Sequence, residues 1–169
     1  MIKYLIYLIK HKYYVFIECF KMGLFIHAFT HDLSKFLPDE FFPYAAWVYG
    51  KYGKQYYDKW ANYEYGYDET IDISREVKKK FEKAWEKHYI RNKHHPENYD
   101  WKHNFEYTDF VLNMPVKYLK QMACDLKAMS RQFKNDPIEW FLKNKEKFEK
   151  QLTVASLRYL EELLSGKKK

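Results

Sequence analysis

Glycine and proline are scarce in this chain of 169 residues, with five of each. Sandwiches and barrels need a turn roughly every 8–12 residues, and those turns draw on glycine and proline. So few breakers exclude an all-β fold and favour long helices. Cysteine is scarcer still: Cys19 and Cys124 form no CxxC pair, which excludes a disulfide framework and a cysteine zinc site. Each lies in an apolar helical pattern and reads as a small buried hydrophobe. Long apolar runs are also missing. Tyr4 to Ile9 is cut off by Lys10-His11-Lys12, is too short to span a bilayer and is followed by no small-residue cleavage site. No membrane partner and a cytoplasmic location are therefore expected.

What is present is a core. The hydrophobic fraction is 47% and the aromatic fraction 21%, which excludes disorder. The length suits one domain over residues 1–165, with a basic tail at 166–169. The net charge of +7 comes partly from Lys167-Lys168-Lys169 and otherwise from stretches such as Lys78-Lys79-Lys80 and Lys143 to Lys150. A mildly basic surface suits a small anionic ligand. No nucleic-acid-binding motif accompanies it, so nucleic acid is not the expected partner.

Apolar spacing predicts an all-α bundle of about six to seven helices. The first runs from Ile2 to Met22 and stops at Gly23, with His11 in the middle of its buried stripe of Tyr4, Leu8, Val15 and Cys19. The second covers Leu24 to Lys35, and the third opens at Pro38 with Asp39 and Glu40. Residues 50–72 read as a short helix and a loop rich in aromatics, including Tyr56, Tyr57, Trp60, Tyr63, Tyr65 and Tyr67. These either cap the core edge or stack on a base. A fourth helix from Ser74 to Lys93 carries Val77, Phe81, Ala84, His88 and Asn92 on one stripe. A loop with Trp101 and His103 follows. A fifth helix runs from Met114-Pro115 to Phe133, with Asp125 beside its buried stripe. Asp136-Pro137 starts another, and the last spans Asn144 to Leu164.

Polar groups in helical cores are costly unless paired or bound to something. Four helices here each aim one inward: His11, the His31-Asp32 pair, His88 and Asp125. Helical bundles build metal sites from facing side chains in this way. Imidazoles and carboxylates without thiolate suit Mn, Fe, Co, Ni or Zn. His27, one turn before His31, competes with His11 as a ligand. His88 and His95 are seven apart. A helix continuing to Pro96 would set them on one face, whereas unwinding after Asn92 would turn His94 inward instead.

His11, His31-Asp32 and a late Asp125 resemble the H…HD…D signature of HD-domain phosphohydrolases. His31-Asp32-Leu33-Ser34-Lys35 resembles the HDxGK run of the HD-GYP subgroup, with Ser34 in the glycine position, and His94-His95-Pro96-Glu97 resembles its later histidines. The pattern His27-xxx-His31-Asp32-x-Ser34-Lys35-Phe36, Glu40-Phe41, Trp85-xx-His88, Asn92-x-His94-His95-Pro96-Glu97, Met114-Pro115 and Asp125 also resembles a family of uncharacterised bacterial and phage proteins. The HD resemblance implies a compact helical bundle whose first metal is held by His11, His31, Asp32 and Asp125.

The expected function is hydrolysis of a nucleotide or nucleotide-like phosphoester by metal-activated water, with one or two divalent ions per chain. Metal binding brings the pKa of water toward ~7. Asp32 would orient the nucleophile, and Lys35 would meet phosphate charge. His88 would serve as general acid or, with His94 or His95, hold a second ion. Arg91, Asn92 and His27 are candidate substrate contacts. Lys35 also reads as an ordinary helix-end lysine. The alternatives are a non-catalytic protein that sequesters a small anion, and another metal-dependent enzyme on the same scaffold.

Overall fold

The computed structural model describes residues 1–60, 69–99 and 110–168. Among them there are helices and no strands. The α-helices are α1 (Ile2–Lys21), α2 (Phe25–Thr30), α3 (Pro38–Tyr49), α4 (Lys54–Trp60), α5 (Glu69–Arg91), α6 (Val116–Phe133), α7 (Pro137–Lys143), α8 (Lys145–Phe148) and α9 (Val154–Leu164), with 3-10 turns at Leu33–Phe36 and Pro96–Asn98. None is long and apolar enough to cross a membrane. Tyr63, Tyr65, Tyr67, Trp101 and His103 lie outside the described residues.

The chain divides into two compact units. The first comprises Met1–Ile9 and Asp32–Arg91, the second Lys10–His31 and Asn92–Lys169. In the first, α3 packs on α5. Its core joins Tyr4, Leu8, Tyr44, Ala45 and Ala84, with Phe41, Phe81 and Trp85 against them. Tyr57 lies edge-on to Trp47, with centroids 5.7 Å apart, so this member of the aromatic segment caps the core edge. In the second unit α6 packs on α9 and α7, around Leu119, Met122, Phe141, Leu157, Leu160 and Leu163. A separate cluster of Val15, Cys19, Ala28, Cys124 and Ala128 uses small side chains to bring α1, α2 and α6 close together.

Several expected boundaries move, each for a local reason. Helix α1 stops where expected. Gly23 takes φ +70°, and Leu24 N–H donates to the Cys19 carbonyl while Gly23 N–H donates to Phe20, the double bond of a Schellman turn. Helix α2 ends at Thr30 instead of running to Lys35. His31 leaves the helical region at ψ 126°, so the helix ends before the His-Asp pair, and Asp32 then adopts φ 53°, a left-handed conformation that Asp tolerates better than most residues. Helix α5 begins at Glu69, a turn earlier than expected, with Glu69 and Asp72 in the first turn where acids are favoured. It ends at Arg91, before the paired histidines. The expected last helix is broken between α8 and α9. Thr153 caps α9 by accepting from Ser156 N–H, and Asn113 accepts from both Thr153 N–H and the Ser156 hydroxyl.

Leu160 is fully buried in the second unit. Leu160→Ala is expected to destabilise the protein by about 2–5 kcal/mol in urea denaturation. A loss below about 1 kcal/mol would show that this core is loosely packed.

Candidate metal centre

In the second unit, α1, the end of α2 and α6 bring three side chains together. His11 projects from the α1 stripe one turn before Val15. His31 follows the last turn of α2, and Asp125 follows Cys124 on α6. His11 Nε2 lies 2.9 Å from Asp125 Oδ1 and 3.3 Å from His31 Nε2. His31 Nε2 lies 3.6 Å from the same Asp125 oxygen. Ligand atoms set tetrahedrally at ~2.1 Å from one ion stand ~3.4 Å apart, an edge length that follows from zinc–nitrogen and zinc–oxygen bond lengths. The three observed separations bracket that value. Both histidines are buried, at 3% and 1% exposure, so the donors are shielded from water. The site matches the donor chemistry expected for a borderline cation.

Two further imidazoles join this cluster. His27 Nε2 is 3.2 Å from His31 Nδ1, and His94 Nε2 is 4.0 Å from Asp125 Oδ2. His27, His31 and His94 can each offer one ligand atom within 4.8 Å of the others. His11 and His27 are thus not exclusive alternatives, since they address opposite nitrogens of His31. The unwinding beyond Arg91 turns His94 toward Asp125, and because α5 stops there the seven-residue spacing does not put His88 and His95 on one helix face. His95 is buried and its ring lies 4.4 Å from that of His94. The segment is held by His95 N–H donating to the Asn92 carbonyl and by the Asn98 amide donating to the carbonyls of Asn92 and His95. Asn92 therefore contributes its backbone to this turn.

Desolvation works to raise the Asp125 carboxyl pKa. The hydrogen bonds and charges of His11 and His31 outweigh it and hold the group well below the usual carboxylate range. Asp125 is therefore an anion at neutral pH, ready to serve as a ligand. Lys12 donates to the His31 carbonyl at 2.8 Å.

The first unit holds a second polar cluster. Glu40 Oε2 lies 2.9 Å from His88 Nδ1, and His88 Nε2 lies 3.4 Å from Asp32 Oδ1. All three are buried. Ser34 donates its hydroxyl to Glu40 Oε2 at 2.9 Å, and Arg91 donates to Glu40 Oε1 at 2.6 Å and to Asp39 at 3.1 Å. Burial pushes the Glu40 pKa up, but the bonds from His88, Arg91 and Ser34 prevail and hold it below the ordinary value. Glu40 Oε2 thus faces one ring nitrogen of His88 and Asp32 Oδ1 faces the other. This is the carboxylate–histidine arrangement that orients metal-ligating imidazoles. Lys35 pairs with Asp32 at 2.5 Å, from the 3-10 turn rather than a helix end.

Glu40 read in the sequence only as a helix-start acid, and its partnership with His88, forty-eight residues on, leaves no local signal. Glu18 shares the α1 stripe with Cys19 but has no functional role in the sequence reading. It is buried at 5% exposure, receives the Arg131 guanidinium and pairs with Lys21 at 3.2 Å. Its place on the buried stripe of α1 was the available clue. Cys19 and Cys124 are both buried free thiols, as expected.

Because the folded Glu40 pKa is depressed, its stabilising contribution is complete above its ordinary value of 4.5 and is lost as pH falls through the folded value. Glu40→Gln is expected to cost about 1–3 kcal/mol at pH 7 and to flatten the acid limb of the stability profile. An acid limb unchanged from the wild type would contradict the assignment. At the other cluster, Mn²⁺ titrated calorimetrically should bind more weakly as pH falls and the imidazoles protonate. His31→Ala should reduce affinity at least tenfold, and equal affinity in that variant would remove His31 from the ligand set.

No curated protein and no solved structure matches the chain. A family match covers residues 1–164, nearly the whole sequence, His11, His31, Asp32, His88 and Asp125 included. The chain belongs to the family described as "Family of unknown function (DUF5662)".

Proposed function

We propose that this protein is a metal-dependent phosphohydrolase of HD-domain type, acting on a nucleotide or nucleotide-like phosphoester in the cytoplasm. The observation that carries the reading is the convergence of His11 Nε2, His31 Nε2 and Asp125 Oδ1 at 2.9–3.6 Å. His11, His31 and Asp125 would hold one cation, with His94 as a further donor. A cation bound there supplies a Lewis acid for a phosphoryl oxygen and acidifies water near neutral pH.

The HD resemblance assigns Asp32 the orienting of a water nucleophile. His88 Nε2 would accept a proton, pass it to a leaving oxygen, or ligate a second ion with Asp32. Arg91 reaches both Asp39 and Glu40 and so supports His88 through Glu40. Lys35 supplies positive charge for substrate phosphate. The absence of a thiolate ligand and the mixed imidazole–carboxylate donors favour Mn, Fe, Co, Ni or Zn.

The test is phosphate release from a panel of nucleotides and cyclic nucleotides, with chelated protein re-supplied with each metal. Activity should depend on metal and fall by at least about 10²-fold in Asp32→Ala, while circular dichroism keeps the helical signal. Full activity in Asp32→Ala, or no metal-dependent release from any phosphoester, would overturn the proposal.

A further inference from the structure

Four phenylalanines and an isoleucine of the second unit take no part in the chemistry above. Phe16 and Phe20 lie on α1, and Phe25, Ile26 and Phe29 lie on α2. Their rings form one continuous array, with centroids 4.3 Å apart for Phe16 and Phe20, 5.1 Å for Phe20 and Phe25, and 5.3 Å for Phe16 and Phe29. Val15 and Cys19 take the inner face of α1, so this stripe is surplus to the core. Phe20, Phe25 and Phe29 are exposed, and Ile26, one turn before Phe29, is 82% exposed. Tyr13, two turns before Phe20, is exposed as well. Large apolar side chains scattered singly on a surface are ordinary, whereas a contiguous set marks an interaction site. The short helix α2 is therefore two-faced. It buries Ala28 and directs His27 toward His31, while Phe25, Ile26 and Phe29 turn to solvent.

The charge along this stretch is of one sign. From Lys10 to His31 the only acid is Glu18. It is buried and bound to Arg131 and Lys21, so it offers little negative charge to a partner. The same stretch carries Lys10, Lys12 and Lys21. Lys10 and Lys21 stand three helical turns apart and line one flank of the stripe through Tyr13 and Phe20, with Lys12 on the other flank. Lys12 Nζ also donates to the Phe29 carbonyl at 2.6 Å, which holds it at the rim of the array. This pattern selects among occupants. A two-fold contact between copies presents the same patch on both sides and would set these lysines against each other. Lysine is depleted at protein–protein interfaces. Helices that lie in the plane of a lipid interface combine exposed Phe and other apolar side chains with flanking Lys.

We propose that Phe20, Phe25, Ile26 and Phe29, flanked by Lys10, Lys12 and Lys21, dock the protein on an anionic lipid surface. The apolar side chains enter the headgroup region and the ammonium groups meet lipid phosphate and carboxylate. None of the described helices is long and apolar enough to span a bilayer, and the docked face lies in the plane of the interface instead. The proposal is independent of the phosphohydrolase reading, because none of these residues is a metal ligand.

The experiment sediments full-length protein with vesicles of phosphatidylcholine alone and with vesicles of about three parts phosphatidylcholine to one part phosphatidylserine, an anionic lipid. Binding should require phosphatidylserine and weaken as salt is added. Ile26→Asp and Phe29→Asp, both at exposed positions, should each weaken binding at least about tenfold through loss of buried apolar surface. Lys10→Gln should weaken it about fivefold. Circular dichroism and the calorimetric affinity for Mn²⁺ should match the wild type in all three variants, which separates a docking face from a defect in folding or in the metal centre. No sedimentation with either vesicle, equal sedimentation with both, or unchanged binding in the double variant Ile26→Asp, Phe29→Asp would overturn the proposal. So would a wild-type dimer in light scattering that Ile26→Asp converts to a monomer, because the face would then belong to a second copy of the chain.

Discussion

A partly buried carboxylate placed between two buried imidazoles is the constraint on which the second unit depends. Asp125 is held ionised by His11 and His31, and removing either would leave its charge with less compensation. The contact demands close approach of α1, α2 and α6. That approach is made by Val15, Cys19, Ala28, Cys124 and Ala128, whose small side chains let the helices meet. The Schellman turn at Gly23 reverses the chain directly, so that His31 returns beside His11 within twenty residues. Packing and chemistry are thus set by the same stripe of α1: one turn separates His11 from Val15 and another separates Val15 from Cys19.

The first unit solves a similar problem differently. Its buried carboxylate, Glu40, is satisfied by three donors from three places: Ser34 in the 3-10 turn, and His88 and Arg91 on α5. Fixing His88 in this way commits its other nitrogen to Asp32. The left-handed backbone of Asp32 follows from ending α2 at Thr30 and starting the 3-10 turn at Leu33. A single peptide bond, His31–Asp32, therefore separates residues that belong to different polar clusters.

The helical class was legible because apolar spacing at three and four residues is repeated in α1, α5 and α6, and few glycines or prolines interrupt it. His11, His88 and Asp125 could be placed on or beside buried stripes for the same reason. What stayed hidden was non-local. Glu40 looks like an ordinary acid at a helix start until α5 is packed against it. The end of α2 is not legible because the turn out of the helix at His31 carries no spacing signal, and the break before α9 is not because Asn113, which stabilises it, lies forty residues earlier than Thr153.

The central claim is that imidazoles of the second unit hold a cation together with Asp125. Pulsed electron paramagnetic resonance of Mn²⁺-loaded protein tests it directly, since it detects nitrogen nuclei bonded to the ion. The account predicts coupling to imidazole nitrogen from more than one histidine in the wild type, with part of the signal lost in His11→Ala and part in His31→Ala. A bound Mn²⁺ showing only water and carboxylate oxygen, with a spectrum unchanged by both substitutions, would contradict it.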